Sequence, residues 1–173
     1  MTQLSYAKGP VDEPLLEKTI GHALRDAGAM WGAELALSSR HQGIRWTWAE
    51  LDAEVDSIAT GLLHIGVAKG DRVGIWAPNC AEWTVLQFAT ARIGAILVTI
   101  NPAYRTSEVE YALNKVGCTV LVTAARFKTS DYIAMLRELG AEKLPMLRSI
   151  IVLGKERFEG FEPWQSLRGP ADR

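Results

Sequence analysis

The residues able to do chemistry are few and scattered. Three histidines, His22, His41 and His64, fall on a helix, in a hairpin turn and near a helix end. A catalytic triad needs His beside an activated Ser or Cys with an orienting acid, and no nucleophile-elbow motif occurs to supply one. Each is therefore read as facing water or a carbonyl. Cys80 and Cys118 lie far apart, with neither CxxC spacing nor a His at ligand distance, so neither a zinc site nor a disulfide framework is indicated. They read as buried free thiols of a reducing cytoplasm. Glu50, Asp52, Glu54 and Asp56 are dense enough for paired-carboxylate chemistry, but they fall on the outer face of an amphipathic helix and read as a solvated stripe. Gly154-Lys155 is followed by Glu156 rather than Ser or Thr and trails a strand, which fails as a phosphate cradle; no GxGxxG occurs either.

One stretch stands apart. INPAYRTSEVEYAL, residues 100–113, passes from the end of a buried strand into a polar-faced helix, with Asn101, Pro102, Tyr104 and Arg105 packed into the turn. In sheets of parallel strands, ligands gather at the carboxyl ends, so this loop is a place to look, with Ala77 to Cys80 and Ala124 to Thr129.

The elements behind these loops can be traced in order. Leu16, Ile20, Leu24, Ala27 and Trp31 line one face of a helix over 14–31, with Pro14 in its first turn. ELALSS and IRW flank His41-Gln42-Gly43 as a β-hairpin. Thr47 and Glu50 form a capping box that opens a second helix, striped by Leu51, Val55, Ile58, Leu62 and Ile65 and stopped at Gly66. Next, RVGIWA, ILVTI, TVLVT and SIIVL are short apolar runs, the pattern of parallel strands buried on both faces. Asn79 with Glu82, Ser107 with Glu110, and Thr129 or Ser130 are the expected helix starts between them, and Gly94, Gly117 and Gly140 the expected stops.

Repeated strand–helix units with right-handed crossovers predict an α/β fold: a doubly wound, mostly parallel sheet with flanking helices and a small N-terminal hairpin. The division expected is a flexible N-terminus at 1–13, the α/β subdomain at 14–153, and an exit segment at 154–173 leading to a missing part of the domain. With 173 residues, 48% hydrophobic and 23% charged, the chain suffices for one cored domain. Nineteen Lys plus Arg against twenty Asp plus Glu leave a formal charge of -1, which provides no general attraction to nucleic acid. The six tryptophans are scattered rather than gathered in one basic groove, which also argues against nucleic acid. Neither a signal peptide nor an apolar run of bilayer length is present, so a cytoplasmic location without a transmembrane segment is expected.

Three stretches together carry a resemblance. IRWTWAELDAEVDSIATGL, followed by the region from Gly66 to Thr123 and by Ala125 to Tyr132, is similar to the adenylate-forming enzymes, the superfamily of acyl-CoA synthetases, luciferases and peptide-synthetase adenylation domains. Gly94-Ala95 and Asn101-Pro102-Ala103-Tyr104-Arg105 resemble the fatty acyl-CoA ligase branch, especially its medium- and long-chain members. The likeness runs from Leu15 to Leu167 and corresponds to roughly the N-terminal third of such an enzyme. It implies a parent that uses ATP, CoA and Mg2+ to convert a fatty acid to acyl-adenylate and then acyl-CoA. The family's phosphate loop, nucleotide motifs and mobile-domain lysine lie outside these residues, so the chain alone is expected to be inactive and to bind none of these ligands tightly. The resemblance also admits a homodimer. For Arg105 two readings stand: contact with a phosphate of the CoA nucleotide, or a local bond to backbone carbonyls or Glu108 with Tyr104 packed on the next helix. The alternatives for the whole are an aryl-CoA ligase or luciferase-like parent, and a stand-alone interaction module built on the same fold.

Overall fold

The computed structural model describes residues 8–10, 12 and 14–168. The expected flexible segment at 1–13 falls largely outside the described residues, as does the end of the tail.

Helix α1, Ile20–Trp31, starts later than its apolar spacing suggests. Thr19 is its N-cap, its hydroxyl accepting from the His22 amide, while Leu16 and Ile20 remain 80% and 60% exposed. Pro14 thus sits outside the helix, whose first orphan amides are met by the Thr19 hydroxyl. Strands β1, Leu35–Ser39, and β2, Ile44–Thr47, form the hairpin, closed by a 3-10 turn at Arg40–Gln42 and left-handed Gly43. Helix α2, Trp48–His64, begins at the Thr47/Glu50 box with both reciprocal bonds made. Leu51, Val55, Ile58 and Leu62 are each at most 2% exposed, and burial of a side chain of this size stabilises by about 1.5–3 kcal/mol. Ile65 has turned outward, since it lies past the last helical turn.

The main sheet comprises β3, Arg72–Trp76; β4, Ile96–Thr99; β5, Cys118–Thr123; β8, Ser149–Val152; and β9, Glu162–Pro163. Its order is β4-β3-β5-β8-β9 and every pairing in it is parallel. A two-stranded ribbon, β6 at Arg126–Phe127 and β7 at Ser130–Asp131, lies between β5 and the last helix. Two apolar clusters cover opposite faces. Val73, Ile75, Val120, Val122 and Ile151 pack with α2 and with α3, Ala81–Ile93. Trp76, Ile100 and Leu121 pack with α4, Thr106–Val116, and α5, Tyr132–Lys143. Alternation along each strand produces this division. An irregularity at Thr119, where Arg72 pairs with Cys118 but Val73 with Val120, turns Cys118 onto the second face.

β4 departs from the expectation of strands buried on both faces. It is an edge, and Ile96 is 51% exposed. The acid stripe of α2 is also less solvated than expected: Arg92 of α3, with a side chain only 8% exposed, pairs with Asp52 and, at 2.5 Å, with Asp56. Glu54 accepts from Arg168 at 2.7 Å. After Leu153 the chain returns, adds β9, and seats a 3-10 turn, Trp164–Leu167, on α2. Trp164 and Leu167 are 3% and 1% exposed. Gly61 of α2 permits this seat, because a Cβ there would lie 1.7 Å from the Leu167 carbonyl oxygen.

Candidate functional site

The loops at the carboxyl ends of β3, β4 and β5 are gathered by two aromatic side chains. Trp76 ends β3 and Tyr132 opens α5; both are fully buried and stack with centroids 3.6 Å apart and planes 9° from parallel. Each carries a polar tip that burial obliges to find a partner. The Trp76 indole N–H donates to the Asn101 carbonyl at 3.2 Å, and the Tyr132 hydroxyl donates to the Pro102 carbonyl. These consecutive carbonyls belong to the β4–α4 turn, which has no strand neighbour to satisfy them. Burial pushes the Tyr132 phenol up to about 12, so it remains a neutral donor at working pH.

The turn is further shaped from within. The Asn101 side-chain oxygen accepts from the Ala103 amide at 2.9 Å, and the Tyr104 amide donates to the Asn101 carbonyl at 3.0 Å. Tyr104 is partly buried against the second cluster. Arg105 occupies the N-cap of α4, with its own amide donating to Glu108 at 2.8 Å. The box expected at Ser107 and Glu110 is absent; α4 begins at Thr106, and only the Glu108 carboxylate caps it, accepting from the Arg105 amide, since a guanidinium has no acceptor to return the bond. The exposed guanidinium of Arg105 goes neither to a carbonyl nor to Glu108. It donates to the Ser130 hydroxyl at 2.9 Å, linking the turn to the β6–β7 ribbon. That ribbon exposes Arg126 and Lys128, and Lys128 takes the left-handed backbone at φ 52 that side chains avoid. Arg105, Arg126 and Lys128 are thus exposed on two loops joined by the Arg105–Ser130 bond, with Glu108 and Asp131 among them. α5 is capped by Asp131, whose carboxylate accepts from the Ala134 amide at 3.0 Å, rather than by Thr129 or Ser130.

A cavity of about 330 Å³ lies beside the β3–α3 loop, lined by Ser39, His41, Asn79 and Cys80 among others. Gln42 ties the hairpin to α3 beside it. The Gln42 carbonyl oxygen accepts from the Ala81 amide and from Ser39, each at 2.7 Å, and its amide nitrogen donates to Glu82 at 2.7 Å. The cap of α3 therefore comes from the hairpin, in place of the expected Asn79/Glu82 box. Ser39 and His41 approach only to 3.4 Å, and burial pushes the Cys80 thiol up to about 11, which keeps it protonated and a poor nucleophile. Cys118 is buried and likewise raised to about 11 by burial. His22 bonds the Thr19 hydroxyl at 3.1 Å, away from any nucleophile. Among the described residues, no three His, Cys, Asp or Glu side chains gather to hold a metal ion, and no helix is long and apolar enough to cross a membrane.

The sequence singles out Arg105 and the three loops, but not the partners Trp76, Tyr132, Ser130 and Gln42 that the structure brings beside them. The signal for Trp76 was present: an indole closing a buried parallel strand must donate its N–H near the strand end.

Comparison with known proteins follows the same lines. The family model described as AMP-binding enzyme matches residues 24–170. The mitochondrial medium-chain acyl-CoA ligase ACSF2 of Macaca fascicularis is 46% identical over 139 residues, 80% of this chain and 22% of that protein. Its counterpart in Rattus norvegicus is 42% identical over 160 residues, 86% of this chain and 26% of that protein. The crystal structure of the N-terminal domain of FACL13 from Mycobacterium tuberculosis superposes with a TM-score of 0.72 at 29% identity, covering 78% of this chain and 34% of that one. The chain thus spans about a quarter of the length of these curated relatives.

Proposed function

The chain belongs to the AMP-binding enzyme family, whose model spans most of its length, and we propose that it is the N-terminal portion of an ATP-dependent fatty acyl-CoA ligase. In this reading the whole protein activates a fatty acid carboxylate on ATP, releasing pyrophosphate, and passes the acyl group from the adenylate to the CoA thiol. Medium-chain acids are the proposed substrates. The observation that carries this is the 46% identity to a medium-chain acyl-CoA ligase across 80% of the chain. The geometry supports the division of labour: a rim of exposed Arg105, Arg126 and Lys128 for binding, with the adenylating groups elsewhere in the protein. Among the described residues, no three His, Cys, Asp or Glu side chains gather to hold a magnesium ion.

Arg105 is the proposed contact to a phosphate of the CoA nucleotide. It is exposed at the carboxyl end of β4 and held in place by Ser130 rather than neutralised by a carboxylate. The α/β subdomain at 14–153 and the exit segment beyond it are the proposed division, with a homodimer as the proposed assembly; exposed Leu15, Leu16 and Ile20 favour the latter. The compartment proposed is the cytoplasm. The curated relatives above are named mitochondrial, and cell fractionation decides between the two.

The test is made on the full-length protein. Fatty-acid-dependent exchange of pyrophosphate into ATP, with CoA-dependent release of AMP, is the expected result. Exchange only with aromatic acids would replace the substrate class, and no exchange with any carboxylate would leave the interaction module. Arg105→Ala is expected to raise KM for CoA roughly tenfold, the loss of one charge-assisted contact, with pyrophosphate exchange unchanged. An unchanged KM for CoA would reduce the Arg105 side chain to a structural link to Ser130.

A further inference from the structure

The rim that carries Arg105 is built on a turn that the sheet itself does not hold. Residues 101–105 have left β4 and not yet entered α4, so their backbone groups need partners from elsewhere. Two of those partners are the most deeply buried aromatic tips of the domain, reaching up from β3 and α5. A third contact closes the loop: Arg105 bonds Ser130, two residues before Tyr132. The stack, the two carbonyls and the Arg105–Ser130 bond thus form one circuit linking the core to the guanidinium.

We propose that Trp76 and Tyr132 are positioning residues for Arg105, clamping the Asn101 and Pro102 carbonyls so that the guanidinium, steadied by Ser130, is held ready for an anionic phosphate of the ligand. This rests on the reading of Arg105 as a CoA contact. The physical basis is preorganisation: an Arg on a loose turn must give up its rotamer and backbone freedom on binding, whereas a clamped one has already lost it. Neutral tyrosine suits this role. A phenolate would lose the donor and repel both the carbonyl and the incoming anion.

Packing alone would account for a buried stacked pair, but not for a phenol and an indole N–H that converge on adjacent carbonyls of the turn carrying Arg105. Phenylalanine at 132 would fill the same volume. The hydroxyl is therefore the part of Tyr132 that acts on the turn, and it can be removed without emptying the core.

The experiment uses the full-length protein and four variants: Tyr132→Phe, Ser130→Ala, Arg105→Ala and the double variant Tyr132→Phe/Arg105→Ala. Pyrophosphate exchange reports adenylation, and KM for CoA reports the rim. Tyr132→Phe and Ser130→Ala are each expected to raise KM for CoA roughly three- to tenfold, with exchange rates within about twofold of the parent protein. In the Arg105→Ala background, Tyr132→Phe is expected to add nothing, because the side chain it positions is gone. If Arg105→Ala weakens CoA use but Tyr132→Phe leaves KM unchanged, the positioning role is overturned and the Arg105 contact stands. If Tyr132→Phe is fully additive with Arg105→Ala, or lowers exchange and CoA use alike, it acts by another route and the proposal also falls. If Arg105→Ala itself leaves KM unchanged, the contact fails and the clamp with it.

Discussion

Gly61→Ala tests the seating of the tail on α2. In a solvated helix interior this change stabilises by about 0.5–1 kcal/mol, because Ala loses less backbone entropy than Gly. Here the added methyl would sit 1.7 Å from the Leu167 carbonyl oxygen, 2.5 Å from its carbonyl carbon and 2.8 Å from its Cα. The obstacle is backbone, so no rotamer change relieves it, and the turn at Trp164–Leu167 must lift off α2. Lifting exposes Leu167 and Trp164, now 1% and 3% exposed, and weakens the Arg168–Glu54 pair. Apolar re-exposure costs on the order of 4–6 kcal/mol. The freed backbone returns part of that as entropy. A net loss of about 2–4 kcal/mol follows, within the range for overpacking and lost core contacts. Urea unfolding of the chain followed by circular dichroism measures it, and limited trypsin digestion is expected to show earlier cleavage at Arg157 and Arg168. Leu167→Ala in the Gly61→Ala background should then cost little more. A neutral or stabilised Gly61→Ala would refute the packing of the turn backbone on α2.

Other perturbations probe separate links. Gln42→Ala removes the acceptor for the Ala81 amide and leaves Glu82 without its partner, so a loss of about 1–2 kcal/mol is expected by thermal unfolding, with Gln42→Glu worse because it faces Glu82. Arg92→Met leaves the partly buried Asp52 without its partner, while the half-exposed Asp56 is hydrated; about 1–2 kcal/mol should be lost, and Asp52→Asn should recover part, as a double-mutant cycle on denaturant midpoints would show. For pH, the Cys118 thiol is raised by burial from 9.0 to about 11 in the folded state. A raised folded value means stability is intact below pH 9 and is lost as pH climbs toward 11, by about 1 kcal/mol at pH 10 from this group. Melting temperatures between pH 8 and pH 10.5 should therefore fall less steeply in Cys118→Ala than in the unaltered chain, after correcting for its lower starting stability.

How much of this was written in the sequence can be judged residue by residue. The short apolar runs RVGIW and TVLVT disclosed parallel strands, because a strand covered on both faces cannot alternate with polar residues. The Thr47/Glu50 box and the left-handed Gly94 and Gly117 marked helix ends, since capping is a matter of a few adjacent residues. Gly140 breaks its helix as expected, with non-helical backbone that kinks α5. It takes the left-handed φ, 65°, and three helical residues follow it before Leu144. The caps at Ala81 and Ala134 differ from the local expectation for a simple reason: a backbone amide donates to any well-placed oxygen, and Gln42, 39 residues away, outcompetes the neighbour at Asn79.

The class of fold, the order of its elements and the loop in which Arg105 lies are legible in the residues alone, because strand and helix periodicity and local capping are short-range properties. Only the tertiary structure decided which groups meet there. That Arg105 turns to Ser130, that Trp76 and Tyr132 stack beneath Asn101 and Pro102, that Arg92 takes up the acids of α2, and that the tail closes over Gly61 all depend on contacts between residues 25 to 114 positions apart. Such pairings follow from sheet order and helix packing, which no local pattern of residues encodes.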